Sequence, residues 1–423
     1  MNSGLILAAP SSGAGKTTLT LGLLRALAQQ GHAVRGAKSG PDYIDPRFHA
    51  AACGVACLNL DAWAMSAGRI RSLAAGRGLL LIEGAMGLFD GAPPDGKGAT
   101  ADLARLLDLP VVLVVDAAHM AQSVAPLVSG FAHHDKSVDV AGVILNNIGS
   151  DRHEEMLRNA LQNIGIPVLG AVRRQAGLTH PSRHLGLVQA SEHPDLESYL
   201  NRAATAVAES VDLSALIALA RPLPATGQVA TLPPPAQRIS IARDAAFAFA
   251  YPHLLKDWRK AGAEIAFFSP LADEPAPEAD MIFLPGGYPE LHAERLSQAH
   301  EFRGSIIKNA SQGAVIYGEC GGYMVLGDSL TDASGRRHGM LGLLPLETSF
   351  AQRKLHLGYR HLHADHGPFQ GAFAGHEFHY ATSLRAEGPA LFQARNAEGI
   401  SLPDMGLRQG SVCGSFAHLI DRA

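Results

Sequence analysis

The residues Pro10-Ser11-Ser12-Gly13-Ala14-Gly15-Lys16-Thr17 lie between an apolar run, Leu5–Ala9, and an amphipathic stretch that begins at Thr18. A glycine-rich turn joining a buried strand to a helix N-terminus constrains the fold strongly. The strand needs cover on both faces, and the helix must open at the turn. The start of the chain is therefore predicted to be part of a parallel α/β sheet. The residue types suit phosphate. Gly13 and Gly15 let backbone N–H groups turn inward on an anion, Lys16 reaches the terminal phosphates of ATP, and the Thr17 hydroxyl ligates Mg²⁺. Thr18 opens a helix whose positive end faces the anion. The spacing is that of a phosphate loop, except that Pro10 replaces the first glycine.

The alternation continues. Gly78–Ile82, Val111–Val115 and Val140–Leu145 are apolar runs of strand length with amphipathic stretches between them. That pattern predicts a doubly wound parallel sheet. From Arg221 to Gln237 the chain carries Pro222, Pro224, Pro233, Pro234 and Pro235. Consecutive prolines cannot join a helix or a central strand, so this stretch reads as a linker. Ile239–Ile241, Ile265–Phe268, Met281–Leu284 and Val315–Tyr317 then resume the βα rhythm. A chain of 423 residues exceeds one ordinary core. The expected organisation is two doubly wound α/β domains, over 1–221 and 238–423, joined by a linker over 222–237.

The net charge of −4, with 47% apolar and 17% charged residues, predicts a folded globular chain. It supplies no basic excess for nucleic acid or an anionic membrane. The longest apolar runs stop far short of a bilayer span, and Met1–Ala9 lacks a basic segment ahead of it, so it reads as a buried strand and not a signal peptide. Four cysteines in no regular framework fit a reducing cytoplasm. Cys53 and Cys57 have no second pair to complete a zinc site and read as small buried residues.

A magnesium site needs further oxygens. Glu83 follows the run Leu79–Ile82, at the strand end where ligands of α/β sheets gather. It heads Glu83-Gly-Ala-Met-Gly-Leu-Phe-Asp-Gly91 and is the first candidate ligand. Asp45 is the next, in Lys38-Ser-Gly-Pro-Asp42-Tyr43-Ile-Asp45-Pro46. Lys38, Asp42, Tyr43 and Asp45 of this segment are candidates for substrate contact. Asn146 ends the run Val143–Leu145 and is a candidate reader of an adenine edge, with Asn147 nearly equal on position.

Near the other end, Val315-Ile-Tyr-Gly-Glu-Cys320-Gly321-Gly322 reads as strand, sharp turn and helix, the shape of a nucleophile elbow. A helix N-terminus favours a thiolate. Pro285-Gly286-Gly287-Tyr-Pro-Glu290 offers N–H donors for an oxyanion hole, Gly287 together with Gly321. A thiol nucleophile needs a base, and His418 in Gly414-Ser-Phe-Ala-His418 is the candidate. Glu319, adjacent to Cys320, is expected to point away along its strand and is given no role. Cys413 lacks the elbow pattern and reads as structural. Arg353–His379 is rich in histidine, with His356, His361, His363, His366, His376 and His379. His376-Glu-Phe-His379 lacks the i, i+4 spacing of a helical zinc motif, so the stretch reads as a polar substrate-facing or interdomain surface.

Together these motifs resemble the cobyrinate and hydrogenobyrinate a,c-diamide synthases of cobalamin biosynthesis. The resemblance covers nearly the whole chain. It is most specific at Lys38–His49, Glu83–Gly91 and His376-Glu-Phe-His-Tyr380. It implies a dethiobiotin-synthetase-like P-loop domain followed by a class I glutamine amidotransferase domain of flavodoxin-like type. It implies Cys320 as nucleophile, His418 as the group that activates it, and Thr17, Asp45 and Glu83 around Mg²⁺. Ordinary class I amidotransferases carry a glutamate two residues after the histidine, and here that residue is Ile420. Position 11 is serine, not the lysine of the related partition and cell-division ATPases. The implied partners are glutamine, ATP and a corrinoid acid, with no nucleic acid or membrane and with a homodimer left open. The implied reaction is amidation of the a and c acetates through an acyl phosphate. The rivals are a nickel-sirohydrochlorin a,c-diamide synthase, a cobyric acid synthase, and a non-catalytic ATP switch with a degenerate amidotransferase domain.

Overall fold

In the N-terminal unit, Met1–Ala230, the apolar runs assemble into one sheet. Its strands are β1 (Asn2–Ala8), β2 (Val34–Ser39), β3 (Leu58–Leu60), β4 (Gly78–Glu83), β5 (Val111–Asp116), β6 (Val140–Ile148), β7 (Val168–Arg173) and the two-residue β8 (Arg221–Pro222). The order is β3-β2-β4-β1-β5-β6-β7, and these seven are parallel. Leu5, Ile6 and Leu7 of the central strand are wholly buried, as continuous apolar runs require when helices cover both faces. Parallel strands bring all their C-terminal ends to one edge. Along it stand the phosphate loop, Lys38, Glu83, Asp116 and Asn146. β8 pairs antiparallel with β1 through Ser3 and Pro222, so the first proline of that stretch is tied to the first strand. The computed structural model describes residues 2–175, 178 and 189–423.

The second unit, Thr231–Ala423, is built on β9 (Arg238–Ala242), β10 (Glu264–Phe268), β11 (Met281–Leu284) and β12 (Val315–Glu319). Shorter strands follow: β13 (Ser329–Thr331), β14 (Arg337–Gly339), β15 (Leu346–Ser349), β16 (His356–Ala364), β17 (Gly371–His379), β18 (Thr382–Ala386), β19 (Gln393–Asn396), β20 (Leu407–Gln409), β21 (Val412–Ser415) and β22 (Ala417–Arg422). The main sheet has the order β10-β9-β11-β12-β21-β20 and is parallel except for β20. Its helical cover packs on Phe247, Phe302, Ile306 and Ile316. Two four-stranded sheets accompany it, β14-β13-β15-β18 and the antiparallel β19-β16-β17-β22. The histidine-rich stretch is thus a β-ribbon, β16 and β17, with β22 alongside. Among the described residues no helix is long and apolar enough to cross a membrane.

Candidate active sites

The phosphate loop leaves β1 and enters the helix Lys16–Gln29 through Gly15. Gly13 (φ +84°) and Gly15 (φ +87°) are both left-handed, a region that strains any residue with a Cβ. A Cβ on Gly15 would also collide with the Asn146 amide. Asn146 Nδ2 donates to the Ala14 carbonyl at 2.9 Å, so the side chain braces the loop from β6, and its second N–H and its Oδ1 are not used by that bond. Asn147 (φ +60°) donates to Asp116 Oδ1 at 2.9 Å. Lys16 Nζ donates to the Met86 carbonyl at 2.6 Å and the Ser11 carbonyl at 3.2 Å, spanning the mouth of the loop. Burial lowers its pKa, with Glu83 opposing the shift. The Thr18 hydroxyl shares a hydrogen bond with the Tyr199 hydroxyl at 3.2 Å.

Beside the loop, two side chains converge on one carboxylate oxygen. Thr17 Oγ1 donates to Glu83 Oε1 at 2.6 Å, and Lys38 Nζ donates to the same oxygen at 2.7 Å. The Lys38 ammonium also reaches Asp45 Oδ2 at 2.6 Å. Glu83 Oε2 faces His49 Nε2 at 2.6 Å, a contact that nothing in the sequence singled out. Burial alone would raise the Glu83 pKa, but Lys38 and His49 hold it far below the ordinary range. Burial would lower that of Lys38, and Glu83 and Asp45 hold it above the ordinary value. Asp42 accepts the Ile44 N–H at 2.8 Å, and burial, with Asp45 adding to it, raises its pKa to about 8. Tyr43 is half-buried on the same loop. Lys38 is buried between the carboxylates of Asp45 and Glu83. The hydroxyl and carboxylate oxygens of Thr17, Asp45 and Glu83 are the donor chemistry of Mg²⁺.

In the second unit, β12 ends and Cys320 turns sharply, at φ +47° and ψ −103°, into the helix Gly321–Leu326. The glycines around it are matters of space. A Cβ on Gly322 would collide with the Leu284 carbonyl. One on Gly321 would stand 2.8 Å from Pro289 and 3.0 Å from the Gly287 amide nitrogen, so Gly287 and Gly321 lie together beside the thiol. One on Gly286 would strike the His418 ring and lie 3.3 Å from Cys320 Cβ. His418 comes from β22, is buried, and shares a hydrogen bond with Cys320. Burial would lower its pKa, but Cys320 and Glu319 raise it to about 9. Cys413 is buried, and burial pushes its thiol up to about 12.

Two expectations change here. Glu319 does not point away: its Oε2 lies 3.5 Å from His418 Nδ1. Strand alternation would set neighbours 319 and 320 on opposite faces, but the left-handed backbone of Cys320 ends the alternation there. The histidine ribbon is also more than a polar surface. His376 lies opposite His418 in the β17–β22 register, and burial, then His418, push its pKa down to about 3. His379 stacks on Phe416 at 3.8 Å between ring centroids and on His356 at 4.6 Å.

Comparison with known proteins agrees with this two-site arrangement. Residues 5–188 match the CobQ/CobB/MinD/ParA nucleotide binding domain, and residues 238–422 match the CobB/CobQ-like glutamine amidotransferase domain. The chain is 57% identical to the hydrogenobyrinate a,c-diamide synthase of Brucella suis biovar 1 (strain 1330), over 99% of this chain and 98% of that one. It is 56% identical to the protein of that name from Rhizobium meliloti (strain 1021), over 99% of each. It is 51% identical to that from Rhodobacter capsulatus, over 99% of this chain and 98% of that one. The chain belongs to the hydrogenobyrinate a,c-diamide synthase family.

Proposed function

We propose that this chain is a ligase that uses ATP and glutamine to amidate the a and c acetate carboxylates of a corrinoid acid, hydrogenobyrinic acid. The observation that carries the reading is the presence of a buried thiol–imidazole pair and a phosphate loop in one chain that matches 98% of the Brucella suis synthase. Cys320 Sγ attacks the side-chain carbonyl of glutamine. The C–N bond breaks, ammonia leaves with a proton from His418, and a thioester remains. His418 then takes a proton from water, which opens the thioester to glutamate and free thiol. The amides of Gly287 and Gly321 stabilise the oxyanion in both steps. In the N-terminal unit an acetate oxygen of the corrinoid attacks the terminal phosphate of ATP and gives an acyl phosphate and ADP. Lys16 and the loop amides carry the charge of the transferring phosphoryl group. Ammonia displaces phosphate to form the amide, and a second round amidates the second acetate. Thr17, Asp45 and Glu83 fit Mg²⁺, which when bound neutralises phosphate charge. Asp42, Tyr43 and the loop that bears them stand for the corrinoid acid.

Mass spectrometry tests the reading. Hydrogenobyrinic acid, cobyrinic acid and nickel-sirohydrochlorin are each incubated with protein, ATP, Mg²⁺ and glutamine. Two successive OH-to-NH₂ exchanges on hydrogenobyrinic acid are expected. Exchange on another ring alone would reassign the acceptor. Glutamine hydrolysis with no exchange on any would remove the tetrapyrroles as acceptors.

A further inference from the structure

We infer that the Glu319 carboxylate is the third member of the thiol site, holding His418 by its Nδ1 while Nε2 serves Cys320; this rests on the reading of Cys320 as the glutamine nucleophile. A thiol–imidazole pair works best when a third group fixes the tautomer and ring plane of the base and stabilises the imidazolium. The strand that bears His418 does not supply one on the same face. Residues i and i+2 of a strand share a face, and two residues on is Ile420, apolar and wholly buried.

Glu319 fills that need from β12. Its Oε2 lies 3.5 Å from His418 Nδ1, and its Oε1 accepts the Leu419 N–H and the Tyr317 hydroxyl, each at 3.1 Å. Both side chains are almost wholly removed from solvent. A carboxylate in such a place requires a charge partner and hydrogen bonds to its remaining lone pairs. The Leu419 and Tyr317 donors satisfy one oxygen and orient the other toward the imidazole. A separation of 3.5 Å is long for a hydrogen bond and suits a resting site that tightens with substrate. The other titratable groups facing His418 are Cys320, from the elbow, and His376, across β17. His376 is held neutral, so it supplies no competing charge. Glu319 acts through His418 and is a positioning residue.

The test uses the full chain as wild type, Glu319→Gln and Glu319→Asp. Gln keeps the shape and the acceptor for Leu419 but loses the charge. Glutaminase kcat of Glu319→Gln is expected to fall on the order of 10³-fold with KM little changed. The alkaline limb of the pH profile, set by loss of the imidazolium proton, should move to lower pH. Glu319→Asp should recover part of both. Ammonia-driven synthesis should stay at the wild-type level. Near-wild-type kcat in Glu319→Gln with an unmoved limb overturns the proposal. If Glu319→Gln fails to fold, ¹⁵N NMR of His418 in the wild type decides: an Nδ1–H engaged by an acceptor supports the proposal, and a neutral Nε2–H tautomer overturns it. Wild-type protein without glutaminase activity, or Cys320→Ser that retains it, would sink the amidotransferase reading itself, and this proposal with it.

Discussion

Lys38 sets its ammonium 2.7 Å from Glu83 Oε1, the oxygen that also accepts the Thr17 hydroxyl. It bridges this carboxylate to that of Asp45 in a buried setting. The two acids therefore already share a cation, and removing it leaves buried charge unpaired. Lys38→Met is expected to destabilise the N-terminal unit by roughly 3–5 kcal/mol. Because a bound cation stabilises only the folded form, Mg²⁺ should recover part of that loss, and more in the variant than in the wild type. Urea denaturation with and without MgCl₂ reads both effects. Equal Mg²⁺ responses in the two proteins would show that Lys38 does not share the cation's place.

Cys320→Ser separates the two chemistries. The hydroxyl keeps the elbow's size but lacks the thiol's nucleophilicity, so glutamine-driven synthesis should fall by at least about 10⁴-fold. Ammonia-driven synthesis, which needs only the ATP site, should persist. Loss of both in a folded variant would refute the division of labour.

Much of this was legible in the sequence because it is local. Phosphate loops and nucleophile elbows are short segments whose glycines answer to backbone needs, and the apolar runs Leu5–Ala9 and Met281–Leu284 state their own burial. Three things were not legible, and each depends on contacts between distant segments. The loop brace by Asn146 spans from residue 146 to residue 14. The Glu83–His49 contact joins two segments singled out separately in the sequence, and nothing in either one shows that they meet. The antiparallel ribbon of β16 and β17 was hidden because its burial does not alternate cleanly, so histidines that pack around His418 and Phe416 looked like surface.

Gly15→Ala should stop ATP-dependent amidation with either nitrogen source while glutaminase activity survives. The new Cβ meets the Asn146 amide and sits at φ +87°. Asn146→Ala removes only the brace to Ala14 and should weaken ATP binding by about tenfold, the worth of one buried hydrogen bond. The double variant should stay about tenfold or more below the wild type, since the left-handed strain of about 1–2 kcal/mol stays after the clash is relieved. Recovery to the wild-type rate would mean that the clash alone, and not the backbone, makes glycine necessary. Nucleotide affinity by calorimetry and amidation rates with ammonia decide between these.

His418 gives the C-terminal unit a pH-dependent stability whose sign follows from its environment. Burial opposes its charge, but Cys320 and Glu319 prevail and its pKa rises from 6.5 to about 9. The folded form therefore binds the proton more tightly than the unfolded chain. The stability this confers is complete below pH 6.5 and is lost as pH rises through 9, a change of at most about 3 kcal/mol. Asp42, whose pKa is raised to about 8, titrates in the same window but lies in the other unit. The informative quantity is consequently the difference between wild type and His418→Gln, in which only the C-terminal contribution is removed. Urea midpoints from pH 6 to pH 10 should show a wild-type advantage that shrinks as pH rises. An advantage that grows with pH would mean that His418 is held neutral in the fold, and the thiol–imidazole pair would then have to start from the uncharged form.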